Sequence, residues 1–155
     1  MQITSIFCHL LILYCIKYFC STFSTFDIAG SALSAQSLRL NLTASNLANM
    51  HNVAGDPAAV YRARHAVFRA ASEPFSDTLA GVDVLGVVES NSAPIERYDP
   101  GNPQANDEGI VYASSVNAIE EMANMISASR SYQTNLEVIN TAKQMMLRTL
   151  MLGQG

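Results

Sequence analysis

Tryptophan is absent, and cysteine stops at Cys20: Cys8, Cys15 and Cys20 are the only three, and residues 27–155 have none. A stretch without cysteine holds no disulfide framework and no cysteine-ligated zinc, and it avoids mispairing in an oxidising compartment, which suits export. Charge is scarce as well, at 14% of residues, with a balance of −4 and nine basic side chains scattered without a run. Bulk electrostatics therefore give no support to a nucleic-acid partner or an anionic membrane surface. Long apolar runs are missing too: the segment ahead of Lys17 is shorter than the ~20 residues that a membrane span requires.

Reactive constellations are equally thin. No G-x-S-x-G elbow occurs, and the glycines are too dispersed for a phosphate loop. His51 and His65 stand fourteen residues apart with no Cys, Asp or Glu at ligand spacing, so each reads as a surface or junction residue. A calcium loop starting at Asp99 would need Gly at its sixth position and has Gln104, so Asp99, Asp107 and Glu108 read as a solvated turn. Asn41-Leu42-Thr43 matches a glycosylation acceptor by letter but falls inside a helical pattern. These absences argue against an enzyme, a cofactor, a metal or a small-molecule substrate.

What is present is helical patterning at both ends. Residues 117–152 contain neither Gly nor Pro, and Gly153 follows as a stop signal. Asn117, three residues before Glu120, reads as a capping box. Ala118, Met122, Met125, Ser129, Tyr132, Leu136, Ile139, Lys143, Met146 and Leu150 recur at three-four spacing, the pattern of a coiled-coil seam. A helix of this length runs roughly 50 Å and cannot bury its own stripe. Near the other end, Ser24 with Asp27 reads as a helix start. Phe26, Ala29, Leu33, Gln36, Leu40, Thr43, Leu47 and Met50 then lie at the same spacing.

Between the two helices the character changes. Residues 51–57 are turn chemistry, residues 61–68 read as a strand with helix left open by their alanines, and residues 81–89 read as a strand. Residues 95–98 and 110–112 read as short strands flanking a turn-rich loop over 99–109. The expected fold is mainly α: long terminal amphipathic helices paired as an antiparallel coiled coil, with a small β-rich insert between them. The expected divisions are an extension at 1–22, a first helix at 23–52, the insert at 53–113 and a last helix at 114–155. For 1–22, with its only Lys at position 17, three readings stand. It is an atypical signal or anchor, a structural tail, or the product of a start assigned too far upstream.

Several stretches together carry a resemblance. Leu42-Thr43-Ala44-Ser45-Asn46-Leu47-Ala48-Asn49 is similar to the N-terminal signature of bacterial flagellar rod and hook axial proteins. Phe26-Asp27-Ile28-Ala29-Gly30-Ser31-Ala32-Leu33, Tyr98-Asp99-Pro100-Gly101 and the run 117–135 narrow the resemblance to the proximal rod family within them. The resemblance covers about 23–155, and members of that family begin a few residues before the Phe-Asp-Ile-Ala-Gly segment, which favours the upstream-start reading for 1–22. It implies a non-enzymatic subunit of the flagellar basal-body rod that transmits torque for motility. Such a subunit is exported through the flagellar type III apparatus without a cleaved signal and assembles helically in the periplasm. Its neighbours would be the rod proteins FlgB and FlgF, the adaptor FliE and copies of itself.

The expected assembly residues are Leu33, Leu40, Ser45, Asn46, Leu47, Ala48 and Asn49 on the first helix. On the last they are Met122, Met125, Ile126, Arg130, Tyr132, Asn135, Leu136, Ile139, Met146 and Leu150. Asn46, Asn49, Arg130 and Asn135 are expected to fix register between subunits. The alternatives are a secreted coiled-coil adaptor, or a membrane-anchored helical protein outside the flagellum.

Overall fold

The computed structural model describes residues 3–72 and 79–152, with side chains described over 24–71 and 81–151. Helix α1 (Ile3–Ala48) is followed by strands β1 (Val53–Ala54), β2 (Arg64–Ser72), β3 (Leu79–Glu89), β4 (Ile95–Tyr98) and β5 (Ile110–Ala113), and then by helix α2 (Ala118–Leu152). The strands form two antiparallel sheets: β1-β5-β4, with β5 central, and the hairpin β2-β3. Residues 1–2 and the Gly153 stop lie outside the described residues.

The expectation of a mainly α coiled coil is corrected by this arrangement. Two helices and five strands in two sheets make an α+β fold, and a closed coiled coil of the terminal helices is not its basis. The physical reason lies in what is buried. Among the described residues the buried apolar side chains are Ala29, Ala35, Val60, Val111 and Ala128, and buried beside them are Thr43, Asn46, Ser114 and Glu121. The helices meet through small and polar groups: Arg39 Nη2 donates to Asn124 Oδ1 at 3.1 Å, and Asn46 Nδ2 to Glu121 Oε2 at 3.1 Å. Large apolar residues of the expected seam stay outside, Met122 at 50% exposure and Leu150 at 62%.

Helix α1 also starts elsewhere than expected. Its backbone is helical from Ile3, so Ser24 stands inside it. No Gly or Pro occurs between Met1 and Asp27 to interrupt the helix. It ends where Asn49 N–H is shared between the carbonyls of Ser45 (3.1 Å) and Asn46 (3.2 Å), while Asn49 Nδ2 donates to Ser45 O at 2.8 Å. At α2 half of the expected capping box is present: Asn117 Oδ1 accepts the Ile119 N–H at 3.1 Å, while Glu120 stands in the first turn with Glu121 without closing the box.

Opposed charges face each other across the hairpin. Arg64 pairs with Glu89 and Arg69 with Asp83, at 3.0 and 3.5 Å. A shift in pairing between Val67 and Phe68 leaves Leu85 as an extra residue, a bulge. The hairpin meets α1 where Ser31 Oγ accepts the Val82 N–H at 3.0 Å. Gly81, at φ +149°, lies so close that a Cβ there would sit 2.5 Å from Ser31 Oγ. Strand β1 falls in the stretch expected to be a turn. Two residues are too few to show periodicity, and only pairing with Ala113 and Tyr112 defines them.

The 99–109 loop is held by its own asparagines. Asn106 Oδ1 accepts from Glu108 N–H (3.1 Å) and Ile110 N–H (2.8 Å), and Asn102 Oδ1 from Gln104 N–H (3.0 Å). Asp99 N–H donates to Gly109 O at 2.9 Å, closing the loop, and Gly109 supplies the left-handed φ of +76° that this closure requires.

Candidate functional site

Where α1, the approach to β2 and the start of α2 converge, one amide joins all three. Asn46 is fully buried. Its Nδ2 donates to Arg64 O (3.0 Å) and Glu121 Oε2 (3.1 Å), and its Oδ1 accepts from Tyr61 Oη (2.8 Å) and Arg64 N–H (2.9 Å). A carboxamide has two donor hydrogens and two acceptor lone pairs, and all four are engaged. Ser45 Oγ lies 3.3 Å from the same tyrosine oxygen, and Ser114 Oγ donates to Tyr61 O at 2.9 Å. Asn52 adds its Oδ1 to Tyr61 N–H (3.1 Å) and its carbonyl to Ser114 N–H (3.0 Å). The stretch 45–61–64–114–121 is thus one polar junction inside the chain. Asn46 is an internal hub in it, and Asn49 a local helix cap. Tyr61 carried no motif signal, and Glu121 only its place in the 117–135 run that carries the family resemblance.

The expected seam of α2 resolves into two faces. Met125, Tyr132, Ile139 and Met146 are half-buried, and the covered face is completed by Glu121, Ala128, Asn135 and Ala142. Met122, Leu136, Lys143 and Leu150 are exposed. Six of the ten members of the three-four series, Ala118 and Ser129 among them, are therefore placed as read, and the other four are displaced by one residue. The displaced residues join Ile119, Ile126 and Leu147 on an outer face with its own three-four spacing, and Ile119 is 80% exposed there. Arg130 is exposed. On α1, Leu33, Leu40 and Leu47 are half-buried and Ala48 is exposed, with Ala29, Ala35, Thr43 and Asn46 innermost.

A cleft of about 250 Å³ opens beside the junction, lined among others by Arg39, Arg64, His65 and Asn124. Among the described residues no group of His, Cys, Asp or Glu is arranged to hold a metal, and no helix is long and apolar enough to cross a membrane. The molecule thus offers an internally braced junction and a long helix whose outer face leaves several large apolar side chains uncovered. That arrangement lends itself to packing against other chains.

Comparison with known proteins bears on the same two regions. Residues 26–55 match the family described as "Flagella basal body rod protein", and residues 107–152 match "Flagellar basal body rod FlgEFG protein C-terminal". The flagellar basal-body rod protein FlgC of Salmonella typhimurium is 53% identical over 129 residues, which cover 83% of this chain and 96% of that protein. FlgC of Yersinia enterocolitica is 49% identical over 134 residues, 86% of this chain and 99% of that protein. FlgC of Buchnera aphidicola subsp. Acyrthosiphon pisum is 43% identical over 136 residues, again 86% and 99%.

Proposed function

The chain belongs to the FlgC family of flagellar basal-body rod proteins and is a structural subunit of the rod, and from that premise we propose where and how it assembles. It stacks helically in the proximal, periplasmic part of the rod and passes torque along it. Its neighbours are FlgB, FlgF, the adaptor FliE and further copies of itself. It travels through the flagellar type III export apparatus and keeps its N-terminus. Assembly with other basal-body components follows from the family, and its location is the flagellar basal body. The family is structural, and the alternatives of a secreted adaptor or a membrane-anchored protein outside the flagellum give way to it.

The observation that carries this reading, beside the family itself, is the outer face of α2. Ile119, Met122, Ile126, Leu136, Leu147 and Leu150 are exposed along a helix of 35 residues, roughly 52 Å long at ~1.5 Å per residue. A soluble monomer gains nothing from such a stripe, whereas neighbours lying along it would bury about 1.5–3 kcal/mol of side-chain hydrophobicity per large residue. The residues expected at the assembly surface then divide. Met122, Ile126, Leu136 and Leu150 meet neighbours directly, while Met125, Tyr132, Ile139 and Met146 hold α2 to its own chain.

A photo-crosslinking residue at position 126 tests the reading in a strain carrying this chain as its only copy. Adducts with FlgB, FlgF, FliE or a second copy in purified basal bodies are expected. Basal bodies that lack the chain, in cells that swim, would overturn it. The mass of the exported protein should equal that of the cytoplasmic one.

A further inference from the structure

Arg39 lies half-buried on α1, in the cleft of about 250 Å³ between α1, β2 and α2. Arg64 and His65 line the same cleft, Leu42 and Phe68 give it an apolar side, and among the described residues no acidic one lines it. The charge of Arg64 is met by Glu89 at 3.0 Å. Arg39 has no such partner among the described residues; one of its five N–H groups donates to Asn124 Oδ1 at 3.1 Å. A partly desolvated guanidinium facing a cleft with no counter-charge among the described residues that line it is a site of positive potential. Elsewhere the imbalance runs the other way: the chain is four charges negative, and Asp107, Glu108, Glu120 and Glu137 are exposed without an ion pair among the described residues.

We propose that this cleft is a socket for a single carboxylate side chain, aspartate or glutamate, presented by a second copy of this chain. The proposal rests on the rod-subunit reading and adds to it a specific polar contact between copies. One unneutralised guanidinium matches one negative charge and offers a planar, two-pronged donor to a carboxylate. The apolar side formed by Leu42 and Phe68 suits the methylene stem of such a side chain, and gives no advantage to a free dianion. Asn124 holds the guanidinium from α2, so the socket exists only when both helices are in place.

Motility genetics and a solution titration test the socket together. In a strain carrying this chain as its only copy, Arg39→Glu should cut swim-plate expansion about tenfold by placing like charges face to face. Arg39→Met, which keeps the aliphatic stem, should reduce expansion less. Swimming should return through second-site changes of an exposed Asp or Glu to Lys or Arg within this same chain. Suppressors confined to other proteins overturn the second-copy partner. Wild-type swimming by Arg39→Glu overturns the socket while leaving the rod reading intact, provided deletion of the gene stops swimming. A deletion strain that swims sinks the rod reading instead.

The wild-type protein supplies a measurement free of any folding defect in the variants. Glutarate should shift the Arg39 Nε–H resonance saturably, with a midpoint of about a few millimolar as suits one charge-assisted contact. An unmoved resonance, or inorganic phosphate binding about tenfold more tightly than glutarate, overturns the side-chain carboxylate.

Discussion

Replacing Asn46 by Ala removes four hydrogen bonds at once and fills none of the space they occupied. The carbonyl and N–H of Arg64, the hydroxyl of Tyr61 and one oxygen of Glu121 lose the partner they share. Glu121 is itself only 3% exposed, so water cannot readily replace the amide at the carboxylate. Each neutral bond is worth about 0.5–1.5 kcal/mol net, and the one to the carboxylate about 1.5–3 kcal/mol. Allowing for partial entry of water, the expected loss is about 3–5 kcal/mol, a large share of the ~5–15 kcal/mol by which domains are stable. Urea denaturation of the purified protein followed by circular dichroism measures it. Tyr61→Phe, which removes one of the four bonds, should cost about 1 kcal/mol and should add little to Asn46→Ala, because the hydroxyl has then already lost its 2.8 Å bond and keeps only the 3.3 Å contact with Ser45 Oγ. A loss below about 1 kcal/mol for Asn46→Ala would refute the hub. So would full additivity with Tyr61→Phe.

Gly81→Ala should push Ser31 Oγ off the Val82 N–H and loosen the hairpin from α1, lowering stability by about 1–3 kcal/mol; unchanged exchange protection of the Val82 amide would count against the contact. Asn117→Ala removes the cap of α2 and should cost about 1 kcal/mol by thermal melting, with Asn117→Asp close to wild type. Gly109→Ala places a Cβ 3.1 Å from both Pro100 Cβ and Tyr98 Cε2 at a left-handed φ, so a loss of about 1–2 kcal/mol is expected in the same melts. Changing Met122 and Ile126 together to Gln should leave the monomer's urea midpoint within about 0.5 kcal/mol of wild type while abolishing swimming. A monomer destabilised by that double change would mean that the outer face of α2 is covered by its own chain.

Helices at both ends were legible because nothing interrupts them. The run from Asn117 to Leu152 lacks Gly and Pro, and a helix-forming stretch of that length needs no tertiary instruction to be recognised. Strand β3 was legible for a similar reason: Val82, Val84, Val87 and Val88 are β-branched residues bounded by turn formers, although its pairing with β2 was not read. Strand β1 was not, because two residues hold no period. The flagellar rod family was legible from the asparagine signature around Asn46 and the Tyr98-Asp99-Pro100-Gly101 corner, since both are local strings. The role of Asn46 was hidden, because three of its partners, Tyr61, Arg64 and Glu121, lie 15 to 75 residues away.

Periodicity alone left the orientation of each helix undetermined by one residue, and that single step separates the two accounts of α2. A three-four stripe through Met122, Leu136 and Leu150 and one through Glu121, Ala128, Asn135 and Ala142 are neighbours on the same cylinder, about 100° apart. Hydropathy prefers the first for burial. The structure buries the second, because Asn46 and Arg39 on α1 hold Glu121 and Asn124 against them and small alanines let the backbones approach. The sequence by itself determined that this chain has two long helices, strands between them and the marks of a rod protein. Only tertiary structure decided which face of α2 turns inward and which is left for neighbours, since the deciding hydrogen bonds join residues far apart along the chain.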